Sequence, residues 1–228
     1  MSIAPLEQVF ADADAQAQGL ADAVAARLRE GIAARGSAWM AVPGGETPRK
    51  FLEMLAQRKL DWPRVSVTLT DERLVPADDA RSNARLLRDA LLDRVPAAFV
   101  PLVDSRSGKM NVSAPAELPP TFDVVVLGMG ADGHCASLFA DGDNIVAALR
   151  ADSSVPVMPM RSPSVPEPRV TLTLSALVAT HALFVLIRGA DKRRTLQAAL
   201  RGEEPFAQAP IRAVLEHTPV APQVYWSP

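Results

Sequence analysis

The most reactive side chain in this sequence is His134, which closes the run Gly128-Met129-Gly130-Ala131-Asp132-Gly133-His134. An imidazole behind flexible glycines, with a carboxylate two residues before it, suits a general base on a backbone-exposed turn better than a packing residue on an apolar helix face. Its position beyond an apolar strand adds to that reading. His181 and His217 have no such setting and read as structural or solvated. Cys135 adjoins His134, but adjacent residues point in different directions, and it reads as a small packing residue rather than a nucleophile.

A second cluster, Pro43-Gly44-Gly45-Glu46-Thr47-Pro48, combines residue types that expose backbone amides. Glycines allow unusual backbone angles and close approach, Thr47 suits a helix N-cap, and Pro48 suits the first helical turn. Amides at a helix start favour an anion, and a phosphate monoester is the natural ligand; an ordinary strand-to-helix turn is the plain alternative. The spacing of a Walker loop is missing, which disfavours nucleoside triphosphate hydrolysis. Arg73, Arg169 and Lys192 lie at strand or helix boundaries that could face the same cleft, where charge-assisted hydrogen bonds would supplement the amides. Gly128 to Gly133 also satisfies G-x-G-x-x-G, so a dinucleotide site must be weighed. Such a site wants a helix directly after the glycines and an acidic residue at the end of the next strand; here that strand ends in Pro159-Met160-Arg161.

These residues need elements to hold them. Leu20, Val24, Leu28 and Ile32 recur every four residues and predict a helix over about Gln16 to Arg35. Ser37 to Val42 reads as a short buried strand, followed by the glycine turn and a helix carrying Phe51, Leu52 and Leu55. Val65 to Thr70 reads as a strand with Asp71-Glu72-Arg73 at its carboxyl end, and a helix with Leu86, Leu87, Leu91 and Leu92 begins near Ser82-Asn83. Ser113 to Pro120 is a proline-rich extended connection. Phe122 to Leu127 is the clearest buried strand. Further strands are expected at Val155 to Met160, Arg169 to Leu172, Ala182 to Ile187 and Gln223 to Trp226, with a helix over Asp191 to Leu200. The alternation predicts an α/β fold: a mostly parallel sheet with helices on both faces and the ligand beyond the strands' carboxyl ends.

At 228 residues, 48% hydrophobic and 22% charged, the chain suits one α/β domain over 1–228. A net charge of -2 offers no polybasic attraction for nucleic acid or an anionic membrane, which leaves a small-molecule partner. The single cysteine cannot form an internal disulfide and has no partners at zinc spacing, so a reducing compartment and no bound metal are expected. The N-terminal segment lacks the basic-then-apolar pattern of a signal peptide, and no run approaches the roughly 20 apolar residues of a membrane helix. A cytoplasmic protein, monomer or homodimer, is the expectation.

Taken together, the motifs resemble the 6-phosphogluconolactonase family, a relative of the glucosamine-6-phosphate deaminases. The resemblance covers nearly the whole chain. It rests on Pro43 to Pro48, on Asp71-Glu72-Arg73-Leu74-Val75-Pro76 with Ser82-Asn83, and above all on Gly128 through His134 continuing as Cys135-Ala136-Ser137-Leu138-Phe139. Arg169-Val170-Thr171-Leu172-Thr173 and Gly189-Ala190-Asp191-Lys192 complete it. The resemblance implies a modified doubly wound, Rossmann-like fold. It also implies hydrolysis of 6-phospho-D-glucono-1,5-lactone to 6-phosphogluconate in the oxidative pentose phosphate pathway, with no metal or nucleotide cofactor. His134 then matches the general base, with Asp132 and Asp71 as candidates to orient the imidazole or the ligand hydroxyls. Gly44, Gly45, Thr47, Arg169 and Lys192 match the phosphate-binding positions, and Arg73 is a further contact to substrate or developing oxyanion.

The chain departs from the family pattern in places. Pro43 and Glu46 stand where serine is common, so Glu46 must point away from the anion. Asp79 replaces a frequent histidine, and Ala140-Asp141 replaces a usual proline-glycine pair. Two other readings share much of the pattern. A deaminase would continue its histidine block as Ile-Ala-Phe-Asn-Glu-Pro, which is absent here. A non-catalytic sugar-phosphate sensor would be expected to lose the base, and His134 is retained.

Overall fold

Short aliphatic and β-branched runs, apolar on both faces, are suited to parallel strands covered from either side. The computed structural model describes residues 4–104, 111–112 and 114–228; residues 1–3 of the N-terminal segment and Ser113 of the proline-rich connection lie outside the described residues. The chain runs β1 (Leu6–Val9), α1 (Ala13–Arg35), β2 (Ala38–Val42), α2 (Glu46–Ala56), β3 (Val65–Leu69), β4 (Asp71–Arg73) and α3 (Asn83–Leu87). It continues through β5 (Ala98–Phe99), β6 (Val103–Asp104), β7 (Asn111–Val112), β8 (Val124–Gly128), α4 (Ile145–Ala148), β9 (Val157–Met160), β10 (Arg169–Leu172) and α5 (Leu174–Val178). It ends with β11 (Leu183–Arg188), α6 (Ala190–Arg201), α7 (Pro210–His217) and β12 (Gln223–Ser227).

Among the described residues, seven of these strands form one sheet in the order β1-β12-β11-β8-β2-β3-β5. Every neighbouring pair in it is parallel. The connections from β1 to β2 and from β2 to β3 step one way across the sheet, whereas those from β8 to β11 and from β11 to β12 step the other way. Right-handed crossovers therefore put α1 and α2 on one face and α5, α6 and α7 on the other. The contacts agree, with α1 packed on α2, and α5 and α6 packed on α7. The direction reverses between β2 and β8, so the crevice expected of a doubly wound sheet opens beyond the carboxyl ends of that pair.

Local chemistry sets the element ends. The Asp12 carboxylate accepts the amides of Asp14 (2.9 Å) and Ala15 (2.8 Å), which starts α1 three residues earlier than its apolar spacing indicates. Leu20, Val24 and Leu28 are fully buried, as that spacing requires. Ser82 caps α3, and a π-helical turn over Arg88–Leu92 extends its leucine face. Among the described residues, no helix is long and apolar enough to cross a membrane.

Two expectations need correction. The segments near Val155 to Met160 and Arg169 to Leu172 do not join the parallel sheet; as β9 and β10 they pair antiparallel with each other. The charged triplet is not simply the end of β3: as β4 it pairs with β10, in the register Arg73↔Arg169, Glu72↔Val170 and Asp71↔Thr171. Backbone pairing decided both outcomes. A second, three-stranded antiparallel sheet thus stands at the carboxyl edge of the large one and walls the crevice.

Candidate active site

Four chain segments leave the adjacent strands β11, β8, β2 and β3 at this edge and, with a fifth that enters β10, line a cavity of about 380 Å³. Pro43 to Pro48, Asp71, Arg73, Asn83, Gly130, His134, Ser137, Arg169 and Lys192 are among its lining residues.

One side is prepared for an anion. Gly45, at φ 96°, is the N-cap of α2, and no side chain caps that helix. The expectation that Thr47 is the cap is therefore wrong: Gly45 takes the non-helical position, and Thr47 becomes the second helical residue, facing the cavity. Pro48 still falls in the first turn. Lys192 sits in the first turn of α6, which also starts at a glycine without a side-chain cap. Two uncapped helix starts bring partial positive charge to one space. Glu46, at 85% side-chain exposure, is turned to solvent and pairs with Arg49 at 3.4 Å, as its place beside an anion site demands.

Arg169 is buried, yet its Nε is a buried side-chain nitrogen with no hydrogen-bond partner among the described residues. Its guanidinium is held below the ordinary arginine range, first by burial and then by Arg73 directly across the ladder. Like charges opposite each other in a sheet are destabilising, and an anion between them reverses the sign of the interaction.

The other side holds the imidazole. His134 Nδ1 lies 2.6 Å from Asp132 Oδ1, and its backbone amide also donates to that oxygen at 3.2 Å. The hydrogen bond to His134 is the main reason that Asp132 is held below the usual carboxylate range. An ionised carboxylate only accepts, so Nδ1 carries the proton and Nε2 is left as the basic nitrogen. A Cβ on Gly130 would strike the His134 ring, so the glycine is required for close approach. Phe139 packs against the ring with centroids 4.7 Å apart. The turn is tied to the helices beneath it, because Thr195 Oγ1 of α6 donates to the Ala131 carbonyl at 3.0 Å and the Ile211 amide of α7 donates to Gly133 at 3.1 Å. No helix follows the glycines directly; the next is α4, at Ile145. This removes the main requirement of a dinucleotide site.

Between the two sides stands the β4 wall. Asp71 is buried and accepts Ser137 Oγ at 2.6 Å; among the described residues no hydrogen bond joins it to His134, whose partner is Asp132. Arg73 Nη1 donates to Asn83 Oδ1 at 2.7 Å and to the Arg81 carbonyl at 2.6 Å. Asn83 fills the space where a Cβ on Gly44 would lie and donates to the Asp71 carbonyl at 2.9 Å. It thus links the glycine loop to Arg73. Asn83 and Ser137 received no role from the sequence, because their partners lie across the fold and no local spacing marks them. Asp79, at the position often histidine, forms an ion pair with Arg81, which also reaches Glu167. Cys135 is fully buried, and burial pushes its thiol well up, which suits packing rather than nucleophilic attack. His181 and His217 are exposed and remote from the cavity. Among the described residues, no group of three His, Cys, Asp or Glu side chains is placed to hold a metal ion.

A doubly wound sheet with an imidazole–carboxylate pair and an anion-ready loop at its switch point defines a class, and the chain belongs to the glucosamine-6-phosphate isomerase/6-phosphogluconolactonase family, whose model matches residues 11–226. Within it, the similar relatives are 6-phosphogluconolactonases. That of Rhizobium meliloti (strain 1021) is 43% identical, the alignment covering 96% of this chain and 97% of the relative. That of Pseudomonas putida is also 43% identical, covering 96% and 91%. The crystal structure of a 6-phosphogluconolactonase from Shewanella baltica OS155 superposes with a TM-score of 0.90 at 33% identity, covering all of both chains.

Proposed function

We propose that this chain hydrolyses 6-phospho-D-glucono-1,5-lactone to 6-phospho-D-gluconate, the lactone-opening step of the oxidative pentose phosphate pathway. The observation that carries the reading is the meeting, in one cavity, of His134 with an uncapped glycine-loop helix start and three cations, while Asp132, outside the lining, holds the imidazole from behind. A cytoplasmic setting, and a monomer or homodimer, belong to the same reading.

The phosphate sits against Gly44, Gly45 and Thr47, with Arg169 and Lys192 neutralising its charge. This anchors the sugar ring and carries the lactone carbonyl towards His134. Nε2 takes a proton from water as the water oxygen attacks C1, and Asp132 stabilises the imidazolium that forms. The carbonyl electrons move onto oxygen, and Arg73 is a further cation that contacts either the substrate or this developing charge. When the intermediate collapses, the C1–ring oxygen bond breaks and the imidazolium returns its proton to the departing oxygen. The open acid then ionises. Asp71, fixed by Ser137, is left to accept ligand hydroxyls. A strained cyclic ester asks little of its catalyst, so one base, worth about 10²–10⁴-fold, together with positioning is enough.

The test generates the lactone in situ from glucose 6-phosphate and follows its disappearance with and without protein. Acceleration over the spontaneous rate is expected. An unchanged rate, with ammonia released from glucosamine 6-phosphate instead, would establish the deaminase reading in its place.

A further inference from the structure

The chain leaving Phe139 is stitched to the chain entering β10. Ser162 Oγ and Ser164 Oγ donate to the two carboxylate oxygens of Asp141, each at 2.5 Å. The Ser164 amide also donates to Ser162 Oγ at 3.0 Å. Next to this knot, the Asp143 amide donates to the Arg161 carbonyl and the Arg161 amide donates to Asp143 Oδ1, each at 2.9 Å, and Asn144 Nδ2 donates to the Pro159 carbonyl at 3.1 Å. One residue beyond Ser164 comes Val165, which packs on the core and lines the same cavity as His134 and Phe139. Pro163, Pro166 and Pro168 restrict the remaining backbone freedom of the segment.

Short hydrogen bonds from hydroxyl to carboxylate are the strong kind, and two on one side chain fix a loop in a way that a single bond does not. The Asp141 carboxyl is kept below its ordinary range by Ser162 and Ser164, so it remains ionised near neutral pH. Asp141 is itself exposed and outside the cavity lining. Its effect on the reaction must therefore pass through what it holds.

We propose that Asp141 is a positioning residue: by gripping Ser162 and Ser164 it fixes Val165 as a ready-made apolar wall of the lactone pocket. This rests on the lactonase reading. Without the grip, residues 162–165 would have to be ordered when substrate binds, and that cost falls on KM while the base and the phosphate contacts are untouched.

The experiment compares Asp141→Ala, Asp141→Asn, Val165→Ala and the double variant Asp141→Ala/Val165→Ala with the parent protein in the lactone assay. Asp141→Ala is expected to raise KM about three- to tenfold with kcat within about twofold, because a few side chains are newly left to be ordered. Asn keeps an oxygen acceptor, and serine oxygens can accept from its amide, so Asp141→Asn should recover part of the loss. The double variant should be no worse than the more damaging single one, since both act through Val165. Backbone amides of 164–165 should exchange with solvent faster in Asp141→Ala than in the parent. An unchanged KM in Asp141→Ala, or KM effects that multiply in the double variant, overturns the inference while leaving the lactonase reading intact. A parent protein that fails to accelerate lactone hydrolysis overturns that reading, and the inference with it.

Discussion

At the scale of single residues, the two halves of the site are predicted to separate kinetically. His134→Ala should reduce kcat about 10²–10⁴-fold while sparing affinity for 6-phosphogluconate. Lys192→Ala should mainly weaken binding of the same product. Steady-state kinetics with product inhibition reads both quantities, and equal loss of folding in the two variants would void the division. The proposed base and its partner were legible because they lie two residues apart on one turn, so that local sequence already holds the geometry. Arg169 was legible only as a charge; its burial and unpartnered Nε come from pairing with β4, which sequence spacing does not reveal. The cap of α2 is not legible from side-chain type: Thr47 has the right side chain, but Gly45 has the backbone freedom the turn requires.

At the scale of elements, Glu72 organises the wall behind the cavity. Its buried carboxylate accepts the amides of Arg73 (2.6 Å), Asn83 (2.8 Å) and Ala84 (2.7 Å), and Ser82 Oγ at 3.0 Å. Strand β4 and the start of α3 are thereby joined at one side chain. Glu72→Gln replaces an acceptor with a donor facing amides, and should cost about 1–3 kcal/mol in urea unfolding. Burial raises the Glu72 carboxyl above its ordinary range, although the surrounding donors oppose this. The folded chain then binds this proton more tightly than the unfolded chain, so the group's contribution is full below the unfolded value and declines as pH rises through the folded one. The deficit of Glu72→Gln should accordingly narrow as the pH rises above about 4.5. A deficit that widens as the pH rises would contradict this sign. Ser82 announced α3 from sequence, but nothing local announced β4, since three charged residues form a strand only when a partner supplies the ladder. Strand β1 escaped notice for a related reason: Leu6 and Val9 lie exposed at the sheet edge, with no buried face to impose alternation. Helix α7 was legible in principle, with Pro210 at its start and Ile211, Val214 and Leu215 buried at helical spacing.

At the scale of the whole molecule, ligand binding should report on the large sheet as a unit, since four of the five site segments leave its adjacent strands. With 6-phosphogluconate at a hundred times its Kd, the native state gains about 2.7 kcal/mol. For a chain of this size that is a rise of about 5–10 °C in Tm, readable by scanning calorimetry. Lys192→Ala should need far more ligand for the same rise, and no shift in the parent would count against the cavity as the product's site. The parallel architecture was legible because α1 and α2 separate β1, β2 and β3, and helical sequence again separates β11 from β12. The antiparallel sheet draws β9 and β10 from after Gly128 and β4 from just after β3, and short strands without intervening helices left the direction of pairing open.

One tie described above reaches further. Thr195 and Lys192 lie on neighbouring turns of the same helix, and Thr195 grips the loop that carries His134. The cation that would seize one end of a ligand and the base that would activate water at the other are therefore mounted on a common rigid strut. Such a mount works as a ruler. It accepts a lactone whose charged tail lies at the matching distance from its carbonyl, and it leaves a shorter homologue stretched between two fixtures that cannot move together to meet it.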